Sequence, residues 1–90
     1  MNQKQQALYQ HIDEILFYQW DPIGVSSGNG FRHEYETYIP ELFQLILNKC
    51  ESLIIVDYLT QARKRMGLSE SLDQDLKIAG LLLNHAYHFD

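Results

Sequence analysis

Apolar residues return every three or four positions along four stretches of this ninety-residue chain, and only two prolines and five glycines interrupt them. That spacing places one apolar stripe on a helix, whereas a half-buried strand would alternate every second residue. No hairpin signal and no alternating strand and helix units occur. The predicted architecture is therefore all-α: one compact four-helix domain spanning residues 1–90, with its second helix kinked or broken at Pro40. A chain this short buries only about 60–65% of the surface its unfolded form exposes, so there is room for one core and little for a catalytic cleft.

The first helix is expected from about Gln3 to Tyr18, with Leu8, Ile12, Ile15, Leu16 and Gln19 on its stripe and Asn2 with Gln5 as a capping box. Pro22 and Gly24 then predict a loop over residues 21–30. A second helical run, Phe31 to Lys49, carries Tyr35, Tyr38, Ile39, Leu42, Phe43, Ile46, Leu47 and Cys50 on its apolar side. Pro40 inside it costs ~3 kcal/mol in a regular helix interior. Either a short helix ends near Tyr38 and another starts with Pro40 in its first turn, or one helix kinks; the continuous phase of the stripe favours the kink. Ser52 is placed to cap a third helix from Leu53 to Met66, closed by Gly67 and Leu68 in a Schellman pattern. Ser71 with Gln74 marks the start of a fourth, to about Tyr87, with Leu72, Leu76, Ala79, Leu83 and Ala86 on its inner face and Ile78 and Leu82 widening it. Gly80 would let a neighbouring helix approach closely.

Seven Lys and Arg against twelve Asp and Glu give a formal charge of −5. Nucleic-acid binding needs clustered bases, and the only basic run, Arg63-Lys64-Arg65, falls at a helix end where cations complement the dipole. The single cysteine, Cys50, excludes a disulfide framework and reads as a buried, inert thiol of a reducing compartment. The polar start carries no signal peptide, and no apolar run approaches the ~20 residues that span a bilayer. A cytoplasmic protein is expected.

Chemistry is sparse. The carboxylate pairs Asp13-Glu14, Glu34/Glu36 and Asp73/Asp75 lack the apolar surroundings that raise a pKa for acid catalysis, and read as solvated faces. His85 and His88 have helical metal-ligand spacing but no obvious third ligand, so no metal is assigned. The Gly24, Gly28 and Gly30 spacing matches neither phosphate-loop pattern, and no nucleophile motif is present. No enzymatic activity and no cofactor are expected. The surplus is aromatic: eleven Phe, Tyr and Trp, with Tyr9, Tyr18, Trp20, Tyr35, Tyr38 and Tyr58 lying among carboxylates. Most would line the core with their hydroxyls reaching solvent. Left partly exposed, they would suit a surface that binds a basic protein.

The stretch Ile15 to Val25, with its hexapeptide Trp20-Asp21-Pro22-Ile23-Gly24-Val25, resembles the helix–WDPIGV–loop signature of a family of small bacterial proteins. Tyr35-Glu36-Thr37-Tyr38-Ile39-Pro40, Tyr58-Leu59 and Arg65-Met66-Gly67-Leu68 match further parts of its pattern, over Leu8 to Leu68. The last helix and Ser26 to Gly30 lie outside the likeness. Some such proteins resemble immunity proteins of contact-dependent growth inhibition and other polymorphic toxin systems. The resemblance implies a cytoplasmic antitoxin that occludes the active site of a cognate toxin domain, often a basic nuclease. The motif also has a structural reading: Trp20 plugs the core, Asp21 accepts hydrogen bonds in the turn, and Pro22 and Gly24 reverse the chain. The expected partner-binding residues are Glu34, Glu36, Tyr38, Glu41, Glu51 and Asp57. The second reading is an interaction domain that forms a homodimer through its aromatic face; the third is a small regulator binding metal through His85 and His88.

Overall fold

The computed structural model describes residues 2–22 and 35–88, with side chains described as far as Asn84. The described residues form four helices and no strand. They are α1 (Gln3–Glu14), continued by a π-helical stretch (Ile15–Trp20); a single 3₁₀ turn (Glu36–Tyr38) leading into α2 (Ile39–Leu47); α3 (Ser52–Arg65); and α4 (Leu72–His88). No helix among the described residues is long and apolar enough to cross a membrane. Expectations resting on Ile23, Gly24, Arg32, Glu34, His85, Ala86 and His88 lie outside the described side chains.

The Asn2 capping box forms: its side chain accepts from the Gln5 amide at 2.8 Å, and the Gln5 side chain accepts from the Asn2 amide at 3.2 Å. Beyond Glu14 the helix widens. The Asp21 amide donates to the Leu16 carbonyl, five residues back, at 2.9 Å. One extra residue per turn changes the phase of the apolar stripe. Gln19, expected inside, is exposed, and Trp20 takes the inward place with no exposed surface. Asp21 ends the stretch in left-handed backbone, φ 33° and ψ 59°.

Pro40 does not kink a long helix. It lies in the first turn of α2, where the backbone N–H it lacks would have had no partner inside the helix. Leu42, Phe43 and Ile46 face the core, and α2 closes through Cys50 N–H to Leu45 C=O and Lys49 N–H to Ile46 C=O, with Lys49 at φ 54°. The expected glycine version of the same closure ends α3: Leu68 N–H reaches Arg63 C=O at 2.9 Å, Gly67 N–H reaches Lys64 C=O at 3.0 Å, and Gly67 has φ 75°. Ser52 is not the cap of α3. Glu51 occupies that position with extended backbone and makes no side-chain capping bond.

The core gathers Leu8, Ile12, Ile15, Leu16 and Phe17 of the first helix with Ile39, Leu42, Phe43 and Ile46 of α2, Ile55, Val56, Leu59 and Ala62 of α3, and Ile78, Ala79 and Leu82 of α4. The inner face of α4 therefore differs from the expected one. Leu72 and Leu76 are exposed, and the line that turns inward is Asp75, Ile78, Ala79 and Leu82. Gly80 faces open space: outside its own stretch of helix no atom lies within 4 Å of where a Cβ would stand, so no neighbouring helix packs closely against it. Cys50 is half-buried, and burial pushes its thiol pKa up from the ordinary value.

Candidate partner-binding face

Two polar constellations stand out, one buried and one exposed. The buried one was missed by sequence reasoning. Arg63 is 5% exposed and Asp75 not at all, so neither is the solvated charge that its neighbours in sequence suggest. The guanidinium grips the carboxylate through Nε, at 3.0 Å to Oδ1 and 3.1 Å to Oδ2, and through Nη2, at 2.9 Å to Oδ1. The Trp20 indole N–H donates to the same Oδ1 at 2.9 Å, and Thr60 Oγ1 lies 3.4 Å from Oδ2. Gln74 does not serve its own helix end. Its oxygen accepts from Arg63 and its amide donates to the Trp20 carbonyl at 2.7 Å. Arg63 also stands over the Trp20 ring, 5.6 Å from its centroid. Among the described residues no buried side-chain polar atom lacks a partner.

This junction explains the Trp-Asp-Pro corner. Trp20 plugs the core and is tied to α4, while the Asp21 carboxylate accepts from the Tyr35 hydroxyl at 2.7 Å. The two ends of the intervening chain segment are thereby held together. Trp20 and Tyr35 pack edge to face with ring centroids 5.4 Å apart. Of the motif residues, Trp20 and Asp21 have these structural duties and Pro22 is half-buried beside them.

The aromatic surplus runs outward from this point. Trp20 and Tyr38 lie 6.4 Å apart, and Tyr38 and Tyr58 again 6.4 Å apart, both pairs edge to face. Trp20 and Tyr35 are buried and Tyr38 and Tyr58 half-buried, whereas Tyr18 is 59% exposed. The rings are absorbed by packing, and the outer two reach the surface.

One carboxylate reaches that outer end, and two more neighbour it in sequence. Glu36, on the 3₁₀ turn, and Glu41, in the first turn of α2, are both exposed where negative charge complements a helix N-terminus. The Tyr58 hydroxyl lies 3.4 Å from the Tyr38 carbonyl. Desolvation, reinforced by the charge of Glu41 and its hydrogen bond, pushes the Tyr58 pKa up to about 12 against a smaller opposing effect of Arg65. Asp57 is exposed beside Tyr58 on α3, whereas Glu51 lies two turns away at the helix start. Glu41 is thus brought to Tyr58, and Tyr58 to Tyr38; exposed Glu36 and Asp57 neighbour the two tyrosines in sequence, Glu51 lies at the start of α3, and Glu34 lies outside the described residues. Among the described residues no group of three His, Cys, Asp or Glu is placed to hold a metal ion. No family model, curated protein or solved structure matches this chain.

Proposed function

We propose that this chain is a protein-binding domain, and most concretely an immunity protein that neutralises a cognate toxin domain by covering a basic active-site cleft. The observation that supports the reading is exposed Glu41 acting on half-buried Tyr58, itself packed edge to face on Tyr38, with exposed Glu36 and Asp57 next to the two tyrosines in sequence. The tyrosines offer rigid, amphipathic contact area with little rotamer freedom to lose, and the carboxylates supply complementary charge for Lys and Arg. Such charge raises the association rate and selects the partner more than it adds affinity. The net charge of −5 acts in the same direction over the whole surface. The WDPIGV resemblance narrows the class of partner to a toxin domain.

The test is co-expression with the C-terminal domain encoded by the adjacent upstream gene. The expected result is rescue of growth and co-elution of the two chains on gel filtration. The triple variant Glu36→Lys, Glu41→Lys, Asp57→Lys should lose both while keeping its helical circular dichroism. A non-toxic domain, or a folded triple variant that protects as well as the parent, would refute the reading.

A further inference from the structure

The proposed acidic face uses the Tyr38 and Tyr58 rings, and those rings need support while no partner is present. Tyr38 is half-buried and meets two rings edge to face: Tyr58 on its outer side and Trp20 on its inner side, each with centroids 6.4 Å away. The outer contact is mutual, since the Tyr58 hydroxyl also lies 3.4 Å from the Tyr38 carbonyl. The inner contact is of another kind, because Trp20 has no exposed surface and cannot touch a partner. We propose that Trp20 is the positioning residue of the partner-binding face: held by the buried Arg63 and Asp75 pair, its indole sets the Tyr38 ring, and through it Tyr58, before the partner arrives. This role rests on the acidic-face reading and adds to it a residue that the face never exposes.

The indole has one orientation open to it. Its N–H donates to Asp75 Oδ1 at 2.9 Å, the Arg63 guanidinium stands 5.6 Å from the ring centroid, and Tyr35 packs on it edge to face at 5.4 Å. The main chain is fixed as well, because the Gln74 amide donates to the Trp20 carbonyl at 2.7 Å. Turning the ring over would take its N–H away from Asp75 and leave a buried donor unsatisfied. Among the described residues no buried side-chain polar atom is in that state. Edge-to-face contacts are directional, so fixing one ring fixes the tilt of the ring packed on it. A tyrosine already held in place loses little freedom on binding, and a mutation that releases it acts mainly on the dissociation rate. Exposed carboxylates act on the association rate instead. Thr60 provides the internal comparison: its Oγ1 lies 3.4 Å from Asp75 Oδ2, the oxygen that Trp20 does not use.

Binding kinetics between the intact chain and the C-terminal domain encoded by the adjacent upstream gene test this. Trp20→Phe keeps a ring in the core and removes the indole N–H. It should speed dissociation roughly five- to tenfold, the worth of about one aromatic pair, and leave the association rate and its salt dependence unchanged. Gln74→Ala frees the Trp20 carbonyl without opening the core; it should shift dissociation in the same direction and carries the test should Trp20→Phe not fold. Thr60→Val should alter neither rate. General destabilisation lowers the amplitude of binding but leaves the dissociation rate of the complex where it was, so it does not imitate the effect. In the free chain, NMR should show cross-peaks between the Trp20 and Tyr38 ring protons, and Tyr38 ring resonances that move in Gln74→Ala and stay in place in Thr60→Val. Unchanged dissociation in the folded variants, an equal effect of Thr60→Val, or absent cross-peaks overturns the positioning role while the acidic face stands. No complex with the parent chain overturns both.

Discussion

The two halves of the interior are held together by different physics. Between α1 and α2 the contact is apolar: Leu8 and Ile12 meet the helix that carries Leu42, Phe43 and Ile46, with the Tyr9 and Phe43 rings packed at a tilt, centroids 5.5 Å apart, at the margin. Where the π-helical turn meets α3 and α4, the contact is a charged network of Trp20, Arg63, Gln74 and Asp75. Apolar contacts are non-directional, so their strength degrades gradually as methylenes are removed. The network is directional, and each member exists at low cost only because the others satisfy it. Taking the two charges out of water costs several kcal/mol per ion, which the pairing and the added donors from Trp20 and Thr60 offset. The apolar half therefore provides most of the net stability, and the polar half fixes the angle at which the first helix enters the bundle.

The comparison breaks first at Asp75. Asp75→Ala leaves the Arg63 guanidinium buried without its counter-ion and should cost about 3–5 kcal/mol. For ninety residues, total stability is about 5–13 kcal/mol, so the urea midpoint should fall by a large fraction. Replacing both partners, Arg63→Met with Asp75→Leu, should recover the part of that loss due to the unpaired guanidinium, while the buried Trp20 indole N–H, left without its acceptor, keeps a cost of about 1–3 kcal/mol. A single variant within 1 kcal/mol of the parent, or a double variant no better than Asp75→Ala, would remove the distinction between the halves.

On the apolar side the losses should be graded. Ile46→Ala should cost about 2–5 kcal/mol and Ile46→Val about 0.5–1.5 kcal/mol, both read from urea unfolding at constant m-value. No second-site change should rescue Ile46→Ala as Arg63→Met rescues Asp75→Ala. A rescue of that kind would mean that α2 also sits in a network of mutually dependent groups.

The same contrast governs what the sequence made legible. The four helices, the Asn2 cap and the Gly67 closure follow from local periodicity and local hydrogen bonding, and those are present in a single stretch of chain. Trp20 was identifiable as a core plug, but its partner was not, because Asp75 stands 55 residues away and reads locally as a first-turn carboxylate favouring the helix dipole. A usable signal existed. Asp75 is in phase with Ile78, Ala79 and Leu82, and Arg63 with Val56 and Leu59; a charge on an apolar line, together with an indole that needs an acceptor, points to a buried pair. Centring the α4 stripe on Leu72, Leu76, Ala79, Leu83 and Ala86, with Ile78 and Leu82 only widening it, left Asp75 outside the apolar line. The leucines that made that stripe attractive lie partly on the surface, and hydrophobicity alone does not distinguish a core position from an exposed one. The π-helical turn was illegible for a different reason, since its phase shift is imposed by the need to seat Trp20 between α3 and α4. The acidic face could be proposed from composition, but the pairing of Glu41 with Tyr58 depends on how α2 and α3 pack.

That pairing yields the smallest effect and the most local one. The folded-state pKa of Tyr58 lies at about 12, above the ordinary value of 10.0. Because the folded pKa is raised, the contribution of Tyr58 to stability is fully present below pH 10 and is lost as pH rises from 10 to 12. The loss is modest, since the side chain is only half-buried and solvent screens the Glu41 charge. Tyrosinate absorbance should show a late ionisation step near pH 12, and Tyr58→Phe should remove that step alone. Glu41→Gln removes the neighbouring negative charge and should move the late step downward, while desolvation keeps it above the ordinary value. If Glu41→Gln leaves the step where it was, α2 and α3 do not bring these two side chains together. The acidic face would then be a scatter of independent carboxylates, with no tyrosine anchor at its centre.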